Sequence, residues 1–286
     1  QALQALVTWQ AAKKQAVIAQ EQEKQLETLL DLVKDRQKAG DLGQVDAELT
    51  FLSLSQMLNV TAKAQVQLKQ AEAQTKELLR DWTPNKEVLP AQGLTITNIQ
   101  ISPQWLEQHP LVLAAKAQWQ ITKSEAQLAL LETKADPTIG MNVGKNQREN
   151  VLGVTFSMPL NIRNNFSAQA RAANQQALAA EANFRSVMRK QQFAIQSSTD
   201  TLVTYQKSYQ RWQQLMGGRG KRSGDLLQKQ WQSGDVSTTE YLLALQQRAE
   251  GLNAGIELQS QFQLNQINWL LQVGQIKAAL QQLSQP

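Results

Sequence analysis

The chain is predicted to be mainly α, built from long antiparallel coiled-coil helices with a single β-hairpin inserted, and three observations predict this. The first is an internal duplication. Residues 31–52, DLVKDRQKAGDLGQVDAELTFL, align without a gap on residues 225–246, DLLQKQWQSGDVSTTEYLLALQ, so that Asp31, Leu32, Gly40, Asp41 and Leu49 fall on Asp225, Leu226, Gly234, Asp235 and Leu243. A repeat of this kind dictates architecture and is read before anything else. The second observation is composition: the segments flanking each Gly-Asp turn are rich in Ala, Gln, Leu, Glu and Lys, with apolar residues at three- and four-residue spacing. The third is one short segment, 137–160, whose apolar period changes to two.

Taken in order, residues 1–82 read as the helical hairpin of the first repeat, truncated at its start, with helices over 2–38 and 44–80 about the Gly40 turn. Leu26, Leu29, Leu30 and Val33 carry the helical spacing before the turn, and Val45, Leu49 and Leu52 after it. Residues 83–108, TPNKEVLPAQGLTITNIQISPQWLEQ, contain Pro84, Pro90, Gly93 and Pro103 and a short β-like run at Leu94–Ile101, so they form an equatorial linker between the repeats. The second repeat occupies 109–286. Its first helix, 109–136, opens at His109-Pro110, where proline suits the first helical position.

The hairpin follows, at 137–160, PTIGMNVGKNQRENVLGVTFSMPL. Ile139, Met141 and Val143 alternate with Gly140, Asn142 and Gly144 on the first arm, and Leu152, Val154, Phe156 and Met158 alternate with Gly153, Thr155 and Ser157 on the second. A polar tip, Lys145 to Asn150, joins them, and Pro137 and Pro159 mark the outer ends. Arms of about 10 residues match a tilted membrane strand with one face toward lipid and a small, polar face toward a lumen. The other reading is a soluble hairpin packed on the helices. Beyond it, 161–286 is helical again: Met188, Ile195, Leu202, Tyr209 and Met216 recur every seventh residue beside Tyr205 and Trp212, which means helices packed side by side over many turns. A helix of about 50 residues spans about 75 Å. The stretch 217–224, GGRGKRSG, reads either as a flexible helix break or as an insert foreign to the natural sequence. It is not a phosphate loop, because Leu215 and Arg222 stand where a glycine and a Ser/Thr are needed.

Bulk composition excludes several functions. Apolar residues make up 42% of the 286 and the mean hydropathy is −0.42, which suits thin helical seams better than a large globular core. With no cysteine there are no disulfides, thiolate nucleophiles or thiolate metal sites. No apolar run is long enough for a membrane-spanning helix, and the first residues look like helix interior. The net charge is +5 and the pI about 9.4, yet the lysines and arginines are interleaved with Gln and Glu, so no nucleic-acid partner is expected. The single histidine, His109, sits at a helix start without a partner Ser or Asp motif and reads as a cap. No catalytic residue, metal ligand or cofactor is expected.

The order helix, hairpin, long helix, Gly-Asp turn, long helix, duplicated, resembles the outer-membrane factors of the TolC family, the exit ducts of tripartite efflux pumps and type I secretion systems. The resemblance is carried by HPLVLAAKAQ at 109–118, ADPTIGMNVG at 135–144, VLGVTFSMPLNIRNNFSAQARAA at 151–173 and the two turns. The PLNIRNN stretch is most similar to the heavy-metal efflux branch. What the resemblance implies is a homotrimer in the Gram-negative outer membrane, extending into the periplasm, with each subunit giving strands to a β-barrel in outer-membrane lipid and helices, here 161–286 among them, to a periplasmic tunnel. Implied partners are a periplasmic adaptor (membrane fusion protein) and an inner-membrane pump, the duct itself being passive. This chain departs from the family at its start: the first repeat lacks its hairpin and leading helix, so two strands replace the expected four.

The turns are the remaining candidates. Gly40 and Gly234 are placed to take the left-handed conformation that ends a helix. Asp46 and Glu240 fall in the first turn of the next helix, and Ser237 with Glu240 has capping-box spacing. The resemblance adds that Gly40, Asp41, Asp46, Trp231, Gly234, Asp235 and Glu240 lie at the periplasmic end, where acidic residues matching Asp46 and the aromatic matching Trp231 narrow the resting aperture and an adaptor docks. Arg36, Lys38 and Lys229 then pair with carboxylates across subunits. The alternative is a coiled-coil periplasmic adaptor or scaffold that forms no channel; an adaptor would carry β-rich flanking domains, which are not seen in this sequence.

Overall fold

A computed structural model describes residues 1–40, 43–84, 90, 94, 96, 103–145, 149–159 and 165–283, without the side chains of 220, 221, 278, 279, 282 and 283. The elements are α1 (Ala2–Ala39), α2 (Gln44–Leu78), α3 (Pro103–Glu107), α4 (Pro110–Leu131), β1 (Thr138–Lys145), β2 (Asn150–Ser157), α5 (Ser167–Met216), α6 (Arg219–Ser233), α7 (Thr238–Gln272) and α8 (Ile276–Leu283). The chain divides into two compact units, 1–100 with 196–286, and 101–195.

The first unit holds both copies of the duplicated hairpin. α2 and α7 each run 35 residues. They begin at Gln44 and Thr238 and end at Leu78 and Gln272, offset by the same 194 positions that separate Gly40 from Gly234. α1 packs on α2 and α7, and α6 packs on α7. Leu26, Leu29, Val33, Met57, Trp231, Tyr241 and Leu245 make its core.

The seam between α1 and α2 is built from small residues. On α2 the inward positions are Ala47, Thr50, Met57, Thr61, Ala64, Ala71 and Thr75, all buried, with Leu54 and Leu68 packed against the core between them. These fall at heptad spacing of three and four, which keeps one narrow stripe facing a neighbour. Threonine hydroxyls there find backbone acceptors, Thr61 on Ala19 at 3.3 Å and Thr75 on Ala71 at 2.8 Å. The large residues that announce α2 in the sequence point elsewhere: Val45 is 71% and Leu52 60% exposed. Periodicity identified the helix, but the small residues, which allow the backbones to approach, form its buried face.

The C-terminal half of α5 packs on α7 through aromatics. Tyr209 stacks on Phe262 with centroids 6.1 Å apart, and Trp212 donates Nε1–H to the Gly251 carbonyl at 3.0 Å. Trp269 donates to Thr199 Oγ1 at 2.9 Å. The break at 217–224 is shorter than the sequence suggests: α5 ends at Met216, Gly218 takes φ 72°, and α6 resumes at Arg219. Glycine is required at 217, because a Cβ would sit 2.7 Å from the Gln213 carbonyl oxygen.

Of the linker, Thr83, Pro84, Pro90, Leu94, Ile96 and residues 103–108 are described; the rest of the β-like run Leu94–Ile101 lies outside the described residues. Leu94 is pinned to α7 by one side chain. Its N–H donates to Gln266 Oε1 at 3.3 Å, and its carbonyl accepts from Gln266 Nε2 at 3.0 Å. Gln263 Nε2 donates to the Pro90 carbonyl at 3.4 Å. Both glutamines are buried, so the otherwise costly polar amides are satisfied by linker backbone.

In the second unit, α4 is capped by His109, whose Nδ1 accepts from the Leu111 N–H at 3.3 Å with Pro110 at the first position. Trp119 of α4 stacks on Phe184 of α5 at 5.5 Å. β1 and β2 form a two-stranded antiparallel sheet.

Candidate functional site

Two features carry the functional residues. The first is the hairpin, whose register pairs Ile139 with Phe156, Met141 with Val154 and Val143 with Leu152. Side chains directly opposite on antiparallel strands share a face. These six residues therefore line one face of the sheet, and the other carries Gly140 with Thr155, Asn142 with Gly153 and Gly144 with Val151. Gly140 is needed there, because a Cβ would meet Thr155 Oγ1 at 2.8 Å.

Among the described residues of the unit, nothing covers the apolar face. Ile139, Met141, Val143, Leu152, Val154 and Phe156 are 67–79% exposed, and Met158, beyond the strand end, 49%. A hairpin packed on helices as part of a soluble core would bury these groups. At roughly 25 cal/mol per Å² of apolar surface left in water, such a face is a heavy penalty, and contiguous exposed patches of this kind mark a partner or a membrane. Among the described residues no helix is long and apolar enough to cross a membrane, a statement that does not bear on strands.

The second feature is the pair of turns. Gly40 and Gly234 adopt φ 83° and 82°, and the Gly234 N–H closes onto the Trp231 carbonyl at 3.2 Å while that of Asp235 reaches Gln230 at 2.9 Å. Left-handed closure of this type satisfies the last carbonyls of a helix. Asp41 lies outside the described residues. Asp235 is exposed and its Oδ2 accepts from Ser233 Oγ at 2.7 Å.

Asp46 and Glu240 occupy equivalent positions in the two copies and behave differently. Glu240 completes a capping box: its Oε2 accepts from the Ser237 N–H at 2.9 Å and from Ser237 Oγ at 2.7 Å, while its own N–H donates to Ser237 Oγ at 3.3 Å. The Ser237 side-chain hydrogen bond, then its backbone N–H, holds the Glu240 carboxyl below the usual carboxylate range. In the first copy Gly43 replaces the capping serine and offers no hydroxyl. Among the described residues no hydrogen bond or ion pair reaches the Asp46 carboxylate.

Trp231 is buried at 2% exposure and faces inward in this chain, unlike the aperture lining that the resemblance implied. It stacks on Tyr241 at 5.5 Å, donates Nε1–H to Thr238 Oγ1 at 3.2 Å, and lies beneath the Arg36 guanidinium. Arg36 also donates to the Gln232 carbonyl at 3.0 Å, so the first copy grips the second beside both turns. Lys38 pairs within its own helix with Asp35 at 3.8 Å. The Arg36–Trp231 contact, Gly255 beneath Trp212 and the Gln266 clamp were missed in sequence, since none follows from local spacing. Among the described residues no group of His, Cys, Asp or Glu could hold a metal ion.

This arrangement recurs in known structures. CusC, which forms a transmembrane channel, superposes with a TM-score of 0.77 at 15% identity, covering 94% of this chain and 66% of its own. The outer-membrane channel OprN gives 0.77 at 14% identity over 96% of this chain and 65% of its own. The CmeC outer membrane channel of Campylobacter jejuni gives 0.72 at 13% over 99% and 65%. The chain has the fold of an outer-membrane channel. It spans just under two-thirds of the length of CusC and OprN. No protein-family model and no curated protein matches it.

Proposed function

We propose that this chain is part of a passive outer-membrane exit duct of a tripartite efflux or type I secretion system. In this reading the complete protein assembles as a homotrimer, the hairpin 137–160 enters an outer-membrane β-barrel, and the long helices line a periplasmic tunnel. The paired turns form the periplasmic end, where a periplasmic adaptor docks and connects the duct to an inner-membrane pump. No chemistry is performed on the substrate; the pump supplies the energy.

The observation that carries this reading is the hairpin face of Ile139, Met141, Val143, Leu152, Val154 and Phe156, 67–79% exposed and backed by Gly140, Asn142, Gly153 and Thr155. Apolar outside and small or polar inside is the alternation of a barrel strand. The turn end adds at Asp46 a carboxylate that no group among the described residues engages; three around an axis would favour cations at the narrowest point.

The energetic test is a pair of neighbours on opposite faces. In the complete protein refolded into lipid vesicles, Val154→Arg should cost about 2–4 kcal/mol of barrel stability, and Thr155→Arg much less, because only the first charge faces hydrocarbon. Equal costs at the two positions would remove the membrane reading.

A further inference from the structure

We infer that the cleft at the base of the β-hairpin holds a zwitterionic aminophospholipid of the periplasmic leaflet, an acyl chain against its apolar wall, the phosphate on Lys134 and the ammonium on Glu132 and Asp136. The inference deepens the proposed membrane placement of the hairpin and rests on that reading.

The cleft lies where helix gives way to strand on one side and strand to helix on the other. α4 ends at Leu131 and β1 begins at Thr138, while β2 ends at Ser157 and α5 begins at Ser167. Between these ends opens a cavity of about 790 Å³ with Leu128, Leu131, Pro159 and Phe166 in its wall, a volume in the range of small-molecule sites. Leu128 and Leu131 stand three positions apart on one face of α4, 61% and 58% exposed. Phe166 lines the cleft from a backbone at φ 56°, unfavourable for a residue with a Cβ, so a large apolar side chain is held there against its conformational preference. Met158, next to Pro159, is 49% exposed and belongs to the apolar alternation of the hairpin, so the cleft opens where that face begins.

The rim carries charges of both signs. Glu132, Lys134 and Asp136 are exposed, and the ion pairs among the described residues all lie elsewhere. Backbone bonds fix this corner: the Glu132 N–H donates to the Leu128 carbonyl and the Lys134 N–H to the Leu131 carbonyl, both at 2.9 Å, so the charged groups leave the chain beside the two leucines. Opposite charges this near in sequence that do not pair with one another match a ligand that itself carries both signs. A phosphoethanolamine headgroup offers a phosphate to the lysine and an ammonium to the carboxylates, whereas an anionic headgroup would meet two carboxylates for one lysine. A protein segment filling the cleft would bury the three charges at a cost unless it paired each of them; a lipid headgroup leaves them in water while its chain covers the leucines. Lysine suits this level, its stem along apolar surface and its ammonium at the headgroups.

The complete protein is extracted in mild detergent from vesicles of phosphatidylethanolamine and phosphatidylglycerol in equal amounts, and native mass measurement counts and identifies the lipids that stay bound. The expected result is preferential retention of phosphatidylethanolamine. Lys134→Gln should lower retention of both lipids about fivefold, the effect of one lysine at a headgroup surface. Asp136→Asn should lower retention of phosphatidylethanolamine alone and narrow the preference. Glu149→Gln, beyond the far end of β1, is the control and should retain lipid as the parent does. All three substituted residues are exposed, so folding is not at issue. Equal retention of the two lipids, retention of neither, or variants indistinguishable from the parent overturns the lipid site and leaves the duct reading standing, provided the protein sediments with the vesicles. A complete protein that stays in solution overturns both.

Discussion

The guanidinium of Arg36 lies over the ring of Trp231, its Cζ 4.6 Å from the centroid, and joins the two halves of the duplication beside their turns. With the Arg36 bond to the Gln232 carbonyl, this contact connects a side chain of α1 to the last turn of α6. Arg36→Ala should weaken the turn end by about 1–2 kcal/mol, the combined scale of a cation–π contact and one charge-assisted hydrogen bond. Hydrogen exchange at the amides of Gly234, Asp235 and Val236 should quicken while the helix interiors keep their protection. Arg36→Lys should not restore it, because a point ammonium cannot both stack on the indole and reach the carbonyl. Unchanged exchange in Arg36→Ala would mean that the turns stand without this grip.

The capping box makes one turn sensitive to acid. The folded Glu240 carboxyl titrates below its ordinary value, so its contribution is fully present above that value and is lost as pH falls through the lower, folded one. Protection of the Ser237 amide should therefore collapse only in that acidic window, and Glu240→Gln should abolish the dependence. Asp46 should act on ions instead: Asp46→Asn is expected to lower cation preference of the complete trimer in planar bilayers, whereas Glu240→Gln should change it less. The reverse order would assign the aperture to Glu240.

Gly40→Val and Gly234→Val test the turns by backbone alone. A Cβ at either position meets nothing within 4 Å, so the cost comes only from φ 83° and 82°. For a β-branched residue that conformation costs about 1–3 kcal/mol, and asparagine tolerates it better. The valine variants should trimerise yet lose adaptor capture in a pull-down, with asparagine intermediate; full capture by both valine variants would separate the turns from docking.

Gly255 and Gly251 lie along the same α5–α7 contact with opposite expectations. A Cβ on Gly255 would overlap the Trp212 ring, so Gly255→Ala should cost about 1–3 kcal/mol of overpacking. A Cβ on Gly251 would sit 3.6 Å from Met216 Cε, an ordinary contact, and alanine there should be neutral or stabilising by up to about 1 kcal/mol of helix propensity. Urea denaturation followed by tryptophan fluorescence distinguishes them. Equal midpoints would show that the indole moves freely aside.

How much of this was legible before the structure follows from the range of each interaction. The helices, the turns at Gly40 and Gly234, the His109 cap, the Ser237–Glu240 box and the alternation of the hairpin were all readable, because each is decided by residues a few positions apart. Val45 and Leu52 were readable as helix but not as surface: periodicity marks a face without saying which neighbour covers it, and the buried seam went to Ala47, Thr50, Thr61 and Ala64. Trp231 entered the sequence reading only as the aromatic that the resemblance placed at the aperture, and the approach of Arg36 from the other copy and of Tyr241 across the turn, which no local pattern shows, buries it. Gly255 in a helix reads as a small propensity cost until Trp212, on another helix, explains it. The Gln266 clamp on Leu94 is longer in range still and leaves no local pattern.

The most direct test of the central claim is the membrane placement of the hairpin. Single cysteines at each position from Val151 to Ser157 of the complete protein, with any cysteine outside this chain replaced, would be spin-labelled in outer-membrane vesicles and their accessibility to oxygen and to a water-soluble nickel chelate compared. The account predicts an alternation of period two, with labels at Leu152, Val154 and Phe156 accessible to oxygen and shielded from nickel, and labels at Gly153 and Thr155 showing the opposite. Uniform nickel accessibility along both faces would contradict it.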